Sequence, residues 1–340
     1  DVHRAREINS RIVHVRLSEF GDTGPHSGLV ANDLVIASMG GPVSLQGVAE
    51  RAPIRVSVPQ VWRHAGVEAA AGAMVAHARM VKTGQSQYVD LSAQSVMTWT
   101  MLQAMDAHAI QGFDFERSGS AMKAAVTIEL VHKCVDGYLV ALPTSPVMRG
   151  CLELMIEDGI LDPSFREVDW DEFDQALADP ETRPTLAEVM EACKQFFAKH
   201  TKADLLKFGI ANRITLAPVN NLEELLTLEH LQERAYWLDL DLDLGAGEKI
   251  KAPGLWAKLP KAEGKPLEVR MPAPALDAHG AEIRNEPART RLEYPAPEGD
   301  DVLPFDGVKV ADFAWVGVGP ISSKYLADHG ATVVRVESEN

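Results

Sequence analysis

The chain has 340 residues, 46% of them hydrophobic, and a formal net charge of −16 at pH 7. This length allows two or more domains that each bury a core. The negative charge excludes proteins that bind nucleic-acid backbones, since their affinity depends on clustered Lys and Arg. The longest apolar stretch, residues 67–81, contains Glu68, His77 and Arg79, so we expect no membrane span.

The chain has three cysteines, Cys134, Cys151 and Cys193. Their odd number and wide spacing are typical of reduced thiols and indicate neither a disulfide framework nor a metal site. The sequence begins at Asp1 without a recognisable export signal. We therefore expect a cytoplasmic protein without a bound metal.

Residues 1–124 have the pattern of an α/β domain. The predicted elements are a strand at 11–18, a helix at about 29–39, a helix from Gly66 to Thr83, a strand at 87–91 and a helix capped by Ser92 that runs to about Gln111. This order predicts a Rossmann-like large domain, in which helices pack on a parallel sheet.

Residues 125–267 have a different pattern, which predicts a small α+β domain. The predicted elements are a hairpin around Asp136-Gly137, helices at 146–158, 186–200 and 203–208, a short strand at 216–219 and a short helix at 221–228. Thr201 is the expected N-cap of the third of these helices. Residues 268–285 are expected to return to the large domain.

Residues 286–304 contain four prolines among charged residues, which is typical of a linker. Residues 305–340 then predict a strand at 308–313, a helix that begins near Pro320, and a strand at 332–336. This is one βαβ unit of a parallel sheet. Because the sheet is unfinished at Asn340, we expect the sequence to be cut there.

Five segments resemble motifs of the family III CoA-transferases of the CaiB/BaiF type. Residues 17–41, 66–94, 136–142 and 269–283 resemble four of these motifs in order, the last being the closing motif, and residues 305–338 resemble the opening motif. A closing motif followed by an opening motif implies a tandem fusion. The sequence would then cover most of a first half and the start of a second half.

The resemblance implies an interlocked fold and transfer of CoA from an acyl-CoA thioester to a small carboxylic acid. In the family, an aspartate attacks the acyl-CoA carbonyl to give a mixed anhydride and then an aspartyl-CoA thioester, which the acceptor resolves. The family works as an interlocked dimer, so we expect either a homodimer or an intramolecular pseudo-dimer of the two halves. No nucleic acid or membrane partner is implied.

The nucleophile implied by the resemblance is missing from this sequence. The family aspartate precedes Gly66 by about four residues and falls at or near Trp62, and no carboxylate lies between Glu50 and Glu68. His64 is a weak candidate base, and we interpret Glu68 as a charge in the first turn of a helix. The catalytic aspartate is therefore expected in the second half, and this sequence alone is expected to be inactive.

Two further family features bear on function. The racemases of the family use a histidine where this sequence has Asn32, and an amide cannot take up a proton at neutral pH, so racemase activity is disfavoured. In the opening motif, the resemblance implies that Val316, Gly317 and Val318 line the CoA site. A glycine turn lets the ligand approach the backbone closely.

Two other interpretations remain open. The Gly317 and Gly319 pair with Glu337 about 20 residues later is similar to a dinucleotide fingerprint and would indicate an NAD-dependent oxidoreductase, although Pro320 is unusual there. Alternatively, the first half is a catalytically degenerate structural partner. The absent nucleophile favours this second interpretation for residues 1–290.

Overall fold

The computed structural model describes residues 2–123, 126–176, 179, 181–241, 249–254, 274–287, 302–315 and 317–338. The chain folds into two compact units. We call Asp1–Ala124 together with Arg291–Asn340 the large unit, and Ala125–Thr290 the small unit. The large unit is therefore built from both ends of the sequence.

The N-terminal part of the large unit alternates helices and strands. Its elements are α1 (Val2–Ile8), β1 (Val13–Ser18), α2 (Asp33–Met39), α3 (Val61–Thr83), β2 (Gln87–Ser92), α4 (Ala93–Trp99), α5 (Leu102–Asp106) and β3 (Ala121–Lys123). β1 and β2 pair in parallel, from Val13 opposite Gln87 to Ser18 opposite Ser92. The predicted parallel α/β layout is confirmed.

Helix α3 ends as predicted but begins earlier than predicted. Gly84 follows it with φ +67° and donates its N–H to the Met80 carbonyl at 2.8 Å, which is a left-handed C-cap. Its first residue is Val61 and not Gly66. The early start depends on a capping group from elsewhere in the chain, which is described below.

The predicted helix to Gln111 is interrupted. Ser92 caps α4 as predicted, because its Oγ accepts the Ser95 N–H at 3.2 Å, but α4 ends at Trp99. The hydroxyls of Thr98 and Thr100 donate to backbone carbonyls of the preceding turn at 3.0 and 2.6 Å. Such bonds compete with the regular helical ladder and bend helices.

A small buried cluster joins α2, α3 and α4. Its fully or nearly fully buried members are Ile36, Val61, Ala65, Ala93 and Met97. Gly40, at the end of α2, allows α4 to approach closely, because a Cβ there would lie 2.6 Å from the Met97 Cβ. The cluster fixes the start of α3 against α2.

The small unit has a helical core beside a small antiparallel sheet. Its elements are β4 (Thr127–Glu129), β5 (Val131–Cys134), β6 (Gly137–Val140), α6 (Ser145–Glu157), α7 (Trp170–Gln175), α8 (Leu186–Phe197), α9 (Lys202–Asn212), β7 (Ala217–Pro218), α10 (Leu222–Thr227), α11 (Glu229–Glu233), β8 (Trp237–Asp241), β9 (Lys249–Pro253) and α12 (Gly280–Asn285).

The local predictions for the small unit are confirmed. β5 and β6 form the predicted hairpin, and Gly137 adopts φ +153° at its turn. Helices α6, α8, α9 and α10 lie where helices were predicted, and Thr201 caps α9 by accepting the Asp204 N–H at 3.2 Å. Amphipathic periodicity and capping residues therefore placed these elements correctly.

The three cysteines are free thiols buried in the core of the small unit. Burial raises the pKa of Cys151 to about 12 and also raises the pKa of Cys193. Because the thiolate is the reactive form, these cysteines are packing residues and not nucleophiles.

A buried lysine connects three elements of the small unit. The Lys202 backbone N–H donates to Asp136 Oδ1 at 2.8 Å, and its ammonium donates to the Val219 carbonyl at 3.2 Å and to Glu224 Oε1 at 2.5 Å. Through its backbone and its side chain together, Lys202 thus links the β5–β6 turn, α9 and α10. Its hydrogen bonds satisfy a charge that would otherwise be costly to bury.

The Lys202→Met variant is expected to lower the free energy of unfolding by about 1–3 kcal/mol, because it removes two hydrogen bonds made by a buried charge. Lys199→Met is the control, since Lys199 forms an exposed ion pair with Asp158 at 3.5 Å, a class that contributes about 0–1 kcal/mol. Urea denaturation measures both variants. Equal losses would contradict a special role for Lys202.

The ion pair between Lys202 and Glu224 predicts that the stability of the protein depends on pH. The hydrogen bond from Lys202 lowers the pKa of the Glu224 carboxyl below its ordinary value of 4.5. A carboxyl with a lowered folded pKa stabilises the protein above the unfolded pKa, and this stabilisation is lost as the pH falls through the folded pKa. The difference in the free energy of unfolding between wild type and Lys202→Met should therefore become smaller as the pH is lowered from about 4.5.

The C-terminal part of the large unit forms the predicted βαβ segment. β10 (Lys309–Asp312) and β11 (Thr332–Arg335) pair in parallel, and α13 (Val318–Asp328) connects them. The helix begins two residues before Pro320, which lies in its first turn as proline does in many helices. No helix in the described residues is long and apolar enough to cross a bilayer.

Candidate functional site

The N-terminal end of α3 carries the position at which the sequence predicts a missing nucleophile. Trp62 is the second residue of the helix and is 38% exposed, and His64 is also exposed. The first turn of α3 contains no acidic residue, and the Gln60 side chain makes no capping hydrogen bond. This helix end therefore has no carboxylate of its own.

A carboxylate on α2 accepts hydrogen bonds from the free backbone N–H groups at this helix end. Asp33 accepts the Val61 N–H at 2.9 Å and the Gln60 N–H at 3.3 Å. The free N–H groups at the start of a helix favour an anion, so Asp33 caps α3 from 27 positions earlier in the chain. The spacing of Asp33 and Val61 in the sequence does not indicate this contact, whereas the neighbouring Asn32 stands out in the sequence.

Asn32 has a role that explains why an amide is suitable there. Its Oδ1 accepts the Val35 N–H at 3.0 Å, which makes it the N-cap of α2. The adjacent residues Asn32 and Asp33 thus cap two different helices. This pairing fixes the ends of α2 and α3 beside each other.

We expect Asp33→Ala to destabilise the first turn of α3 by about 0.5–2 kcal/mol, the usual cost of losing a helix cap. Asp33→Asn keeps an acceptor oxygen and should lose less. Hydrogen exchange at the first amides of α3 measures the effect, with the exposed Glu50→Ala as control. Wild-type protection in Asp33→Ala would show that the contact is not a cap.

The prediction for Glu68 is wrong. Because α3 begins at Val61, Glu68 lies beyond the first turn, where the helix dipole has little effect. Its carboxylate instead accepts the Tyr325 hydroxyl at 3.2 and 3.4 Å. The Tyr325 ring also packs edge-on against Trp99, with ring centroids 6.4 Å apart.

The hydrogen bond between Glu68 and Tyr325 connects the C-terminal part of the large unit to its N-terminal part. Burial, followed by the nearby Glu68 charge, raises the pKa of Tyr325, so its hydroxyl keeps the proton that it donates. Lys82 adds a second link by donating to the Asp306 carbonyl at 2.7 Å. Helix α3 thus holds residues on both sides of the β10 strand.

Two cavities are both lined by Glu68 and Tyr325. One, of about 620 Å³, lies between α3, β2 and the C-terminal segment; the other, of about 500 Å³, lies at the carboxyl ends of β1 and β2. The second is lined by the polar side chains of Thr23, Asp90, Ser92 and Ser95. Carboxyl ends of parallel strands are common ligand-binding edges.

The site residues predicted from the sequence do not line these cavities. Neither Trp62 nor His64 borders them, and neither do Gly317 and Val318. Val316 lies outside the described residues. The structure therefore places Trp62, His64, Gly317 and Val318 in the large unit, and these residues border neither of the two cavities.

The two described residues of the predicted CoA loop, Gly317 and Val318, are exposed to solvent. Gly317 is the N-cap of α13, and a Cβ on it would meet no heavy atom within 4 Å. Asp312 is buried and accepts the Ala314 N–H at 2.8 Å and the Ser323 hydroxyl at 2.6 Å. These bonds, chiefly that from Ser323, lower the pKa of the Asp312 carboxyl.

Gly319 has a packing role between β10 and α13. A Cβ at this position would collide with the Ala314 side chain, so the turn between β10 and α13 requires a glycine there.

Several proteins with similar sequences are named as CoA-transferases. The chain is 26% identical over 303 residues to succinyl-CoA:(R)-benzylsuccinate CoA-transferase subunit BbsE of Thauera aromatica, covering 87% of this chain and 69% of that protein. It is 23% identical over 288 residues to succinate–glutarate CoA-transferase of Agrobacterium fabrum, covering 84% and 68%. The probable CoA-transferase Rv1866 of Mycobacterium tuberculosis is 24% identical over 335 residues, covering 96% of this chain and 39% of that protein.

Solved structures share the fold. A CAIB/BAIF family protein from Brucella suis superposes with a TM-score of 0.65 at 18% identity, covering 84% of this chain and 70% of that chain. The predicted fold class is thereby confirmed. Residues 1–280 and 305–340 match the sequence profile of CoA-transferase family III. The chain belongs to CoA-transferase family III.

Proposed function

We propose that this chain is part of a tandem CoA-transferase that moves CoA from an acyl-CoA thioester to a small carboxylic acid. The observation that carries the tandem arrangement is the order of the motifs, in which an opening motif follows a closing motif. The family profile matches both sides of residues 281–304, within which the whole predicted linker, residues 286–304, lies. The relative Rv1866 supports the proposal, because 96% of this chain matches only 39% of that protein.

The proposed reaction passes through an aspartate of the second half. Its carboxylate attacks the acyl-CoA carbonyl, the C–S bond breaks, and the CoA thiolate leaves an aspartyl anhydride. The thiolate then attacks the aspartyl carbonyl and releases the donor acid. The acceptor carboxylate attacks the resulting aspartyl-CoA, and the released thiolate attacks the new anhydride to form the product thioester and free aspartate.

The first half is proposed to be catalytically degenerate. Trp62 stands at the expected nucleophile position, and the nearby carboxylates are used elsewhere, since Asp33 caps α3 and Glu68 accepts a bond from Tyr325. His64 stays a weak candidate base. The first half would then support the fold of the second and contribute no covalent intermediate.

An assembly of two halves, or of two copies, is part of the proposal. Exposed apolar side chains on the N-terminal elements support it: Val30 is 92% exposed, Val67 69% and Met74 67%. Leaving such side chains in water forgoes the free energy of burying them. We propose that a homodimer or an intramolecular pseudo-dimer covers them.

Chemical trapping in the full-length protein tests the proposed mechanism. The protein is incubated with a panel of acyl-CoA donors and then with hydroxylamine or borohydride, and the modified carboxylate is located by mass spectrometry. We expect label on an aspartate beyond Asn340 and none within residues 1–290. Label within residues 50–70 would contradict the degenerate first half, and no label with any donor would contradict the transferase mechanism.

A further inference from the structure

The cavity at the carboxyl ends of β1 and β2 is lined by acidic side chains and, among the residues that the structure describes, by no basic side chain. Its two charged lining residues are Glu68 and Asp90. Its volume of about 500 Å³ falls within the range of roughly 300–1,000 Å³ that is usual for small-molecule sites. A cavity lined by charges of one sign attracts ligands of the opposite sign, so this cavity favours a cation.

The charges of the two carboxylates are available to a ligand. Glu68 accepts the hydroxyl of Tyr325, which is a neutral donor. Asp90 Oδ2 accepts the Asp22 N–H at 2.9 Å, and Arg16, which lies opposite Asp90 in the β1–β2 ladder, forms its ion pair with Asp22. Within the described part of the chain, neither Glu68 nor Asp90 forms an ion pair, so a bound cation would be their counter-charge.

Three aromatic rings line the same cavity, those of Phe20, Trp99 and Tyr325. The Trp99 and Tyr325 rings are nearly perpendicular, with an interplanar angle of 87° and centroids 6.4 Å apart, so the pair offers two differently oriented walls. The face of an aromatic ring attracts a cation, most strongly in tryptophan. Aromatic rings are therefore a common feature of sites that bind quaternary ammonium groups.

An organic cation fits these walls better than a metal ion does. A metal takes its ligands from oxygen, nitrogen or sulfur atoms, and the described residues contain no group of three His, Cys, Asp or Glu side chains that could hold one. An alkylated ammonium group needs fewer carboxylates, because it also gains from the ring contacts. The hydroxyls of Thr23 and Ser95 line the cavity as well, so a ligand with a hydroxyl near its ammonium group suits it.

We propose that this cavity binds a small organic cation, whose alkylated ammonium group lies against the Trp99 and Tyr325 rings. The Asp90 and Glu68 carboxylates supply the counter-charge. The site goes beyond the proposed function, because neither the thioester nor the acid of CoA transfer needs a positive charge. The described residues of the predicted CoA loop do not line this cavity.

Calorimetry with the full chain and two probes of the same shape tests the site. Choline carries a trimethylammonium group, and the second probe is the neutral alcohol in which a tert-butyl group replaces it. The wild type should bind choline at least about tenfold more tightly than the neutral alcohol, because only choline gains from the carboxylates and the ring faces.

Variants of two lining residues identify the contacts. Asp90→Asn keeps the oxygen that accepts the Asp22 N–H but removes the charge, so it should weaken choline binding about 2- to 5-fold and leave binding of the neutral alcohol unchanged. Trp99→Leu removes a ring face and should weaken choline binding about 2- to 30-fold, and Trp99→Phe should lose less. Asp106→Asn is the matched control, because Asp106 is exposed in the same unit and does not line the cavity.

Three results would overturn this inference: no choline binding by the wild type at millimolar concentrations, equal affinity for the two probes, or choline binding by Asp90→Asn as tight as that by Asp106→Asn. Calcium binding that Asp90→Asn abolishes, without choline binding, would assign the carboxylates to a metal ion instead. If Trp99→Leu does not fold, the two probes and Asp90→Asn still decide the question. In each of these cases, a trapped aspartate in the full-length protein would still support the transferase mechanism.

Discussion

Replacing Phe197 by alanine is expected to lower the free energy of unfolding of the small unit by about 3–5 kcal/mol. Phe197 lies at the end of α8 and is fully buried. The centroid of its ring lies 5.0 Å from the centroid of the His132 ring and 5.8 Å from the centroid of the Phe196 ring. Truncation removes the transfer energy of the ring and leaves a cavity that the packed helices cannot fully close.

Ile210→Ala is the matched control for this prediction. Ile210 lies on α9 of the same unit and is 72% exposed, so its truncation should change stability by about 0.5 kcal/mol or less. Hydrogen exchange of the α8 amides, followed by mass spectrometry, reports on the small unit specifically. Similar exchange in the two variants would mean that Phe197 is not part of a close-packed core.

Replacing Ile36 by alanine is expected to destabilise the large unit by about 2–5 kcal/mol. Ile36 is fully buried between α2, α3 and α4, in the cluster that contains Val61 and Met97. Loss of this side chain should also loosen the contact between Asp33 and the first amides of α3. The start of α3, which carries the nucleophile position implied by the resemblance, would then lose its support.

The control is Val35→Ala on the same helix, because Val35 is 42% exposed and lies outside the buried cluster. Exchange of the α4 amides and of the first amides of α3 should rise strongly in Ile36→Ala and only slightly in Val35→Ala. If both variants exchange alike, burial of Ile36 is not what holds these three helices together.

Prediction from the sequence succeeded where a few neighbouring residues contain the signal. The Asp136-Gly137 turn, the caps at Ser92 and Thr201, and the left-handed Gly84 all act within about four residues. Alternating and helical hydrophobic patterns are also local, and they gave the correct order of strands and helices in both units.

Prediction from the sequence failed where the partner is distant. The early start of α3 depends on Asp33, which lies 28 positions before Val61, and the role of Glu68 depends on Tyr325, which is 257 positions away. Neither pair has a recognisable spacing. The end of α4 at Trp99 was not predicted for another reason. The Thr98 and Thr100 hydroxyls bond to the helix backbone, and such bonds are only a weak signal against a helical hydrophobic pattern.

The sequence alone thus determined the α/β class, the family resemblance and the absence of an acidic residue near Trp62. Only the tertiary structure showed that the Asp33 carboxylate caps the start of α3. It also showed that the opening motif at the C-terminus packs against α3 through Tyr325. The physical reason is that local backbone preferences depend on neighbours in sequence, whereas hydrogen bonds and burial depend on neighbours in space.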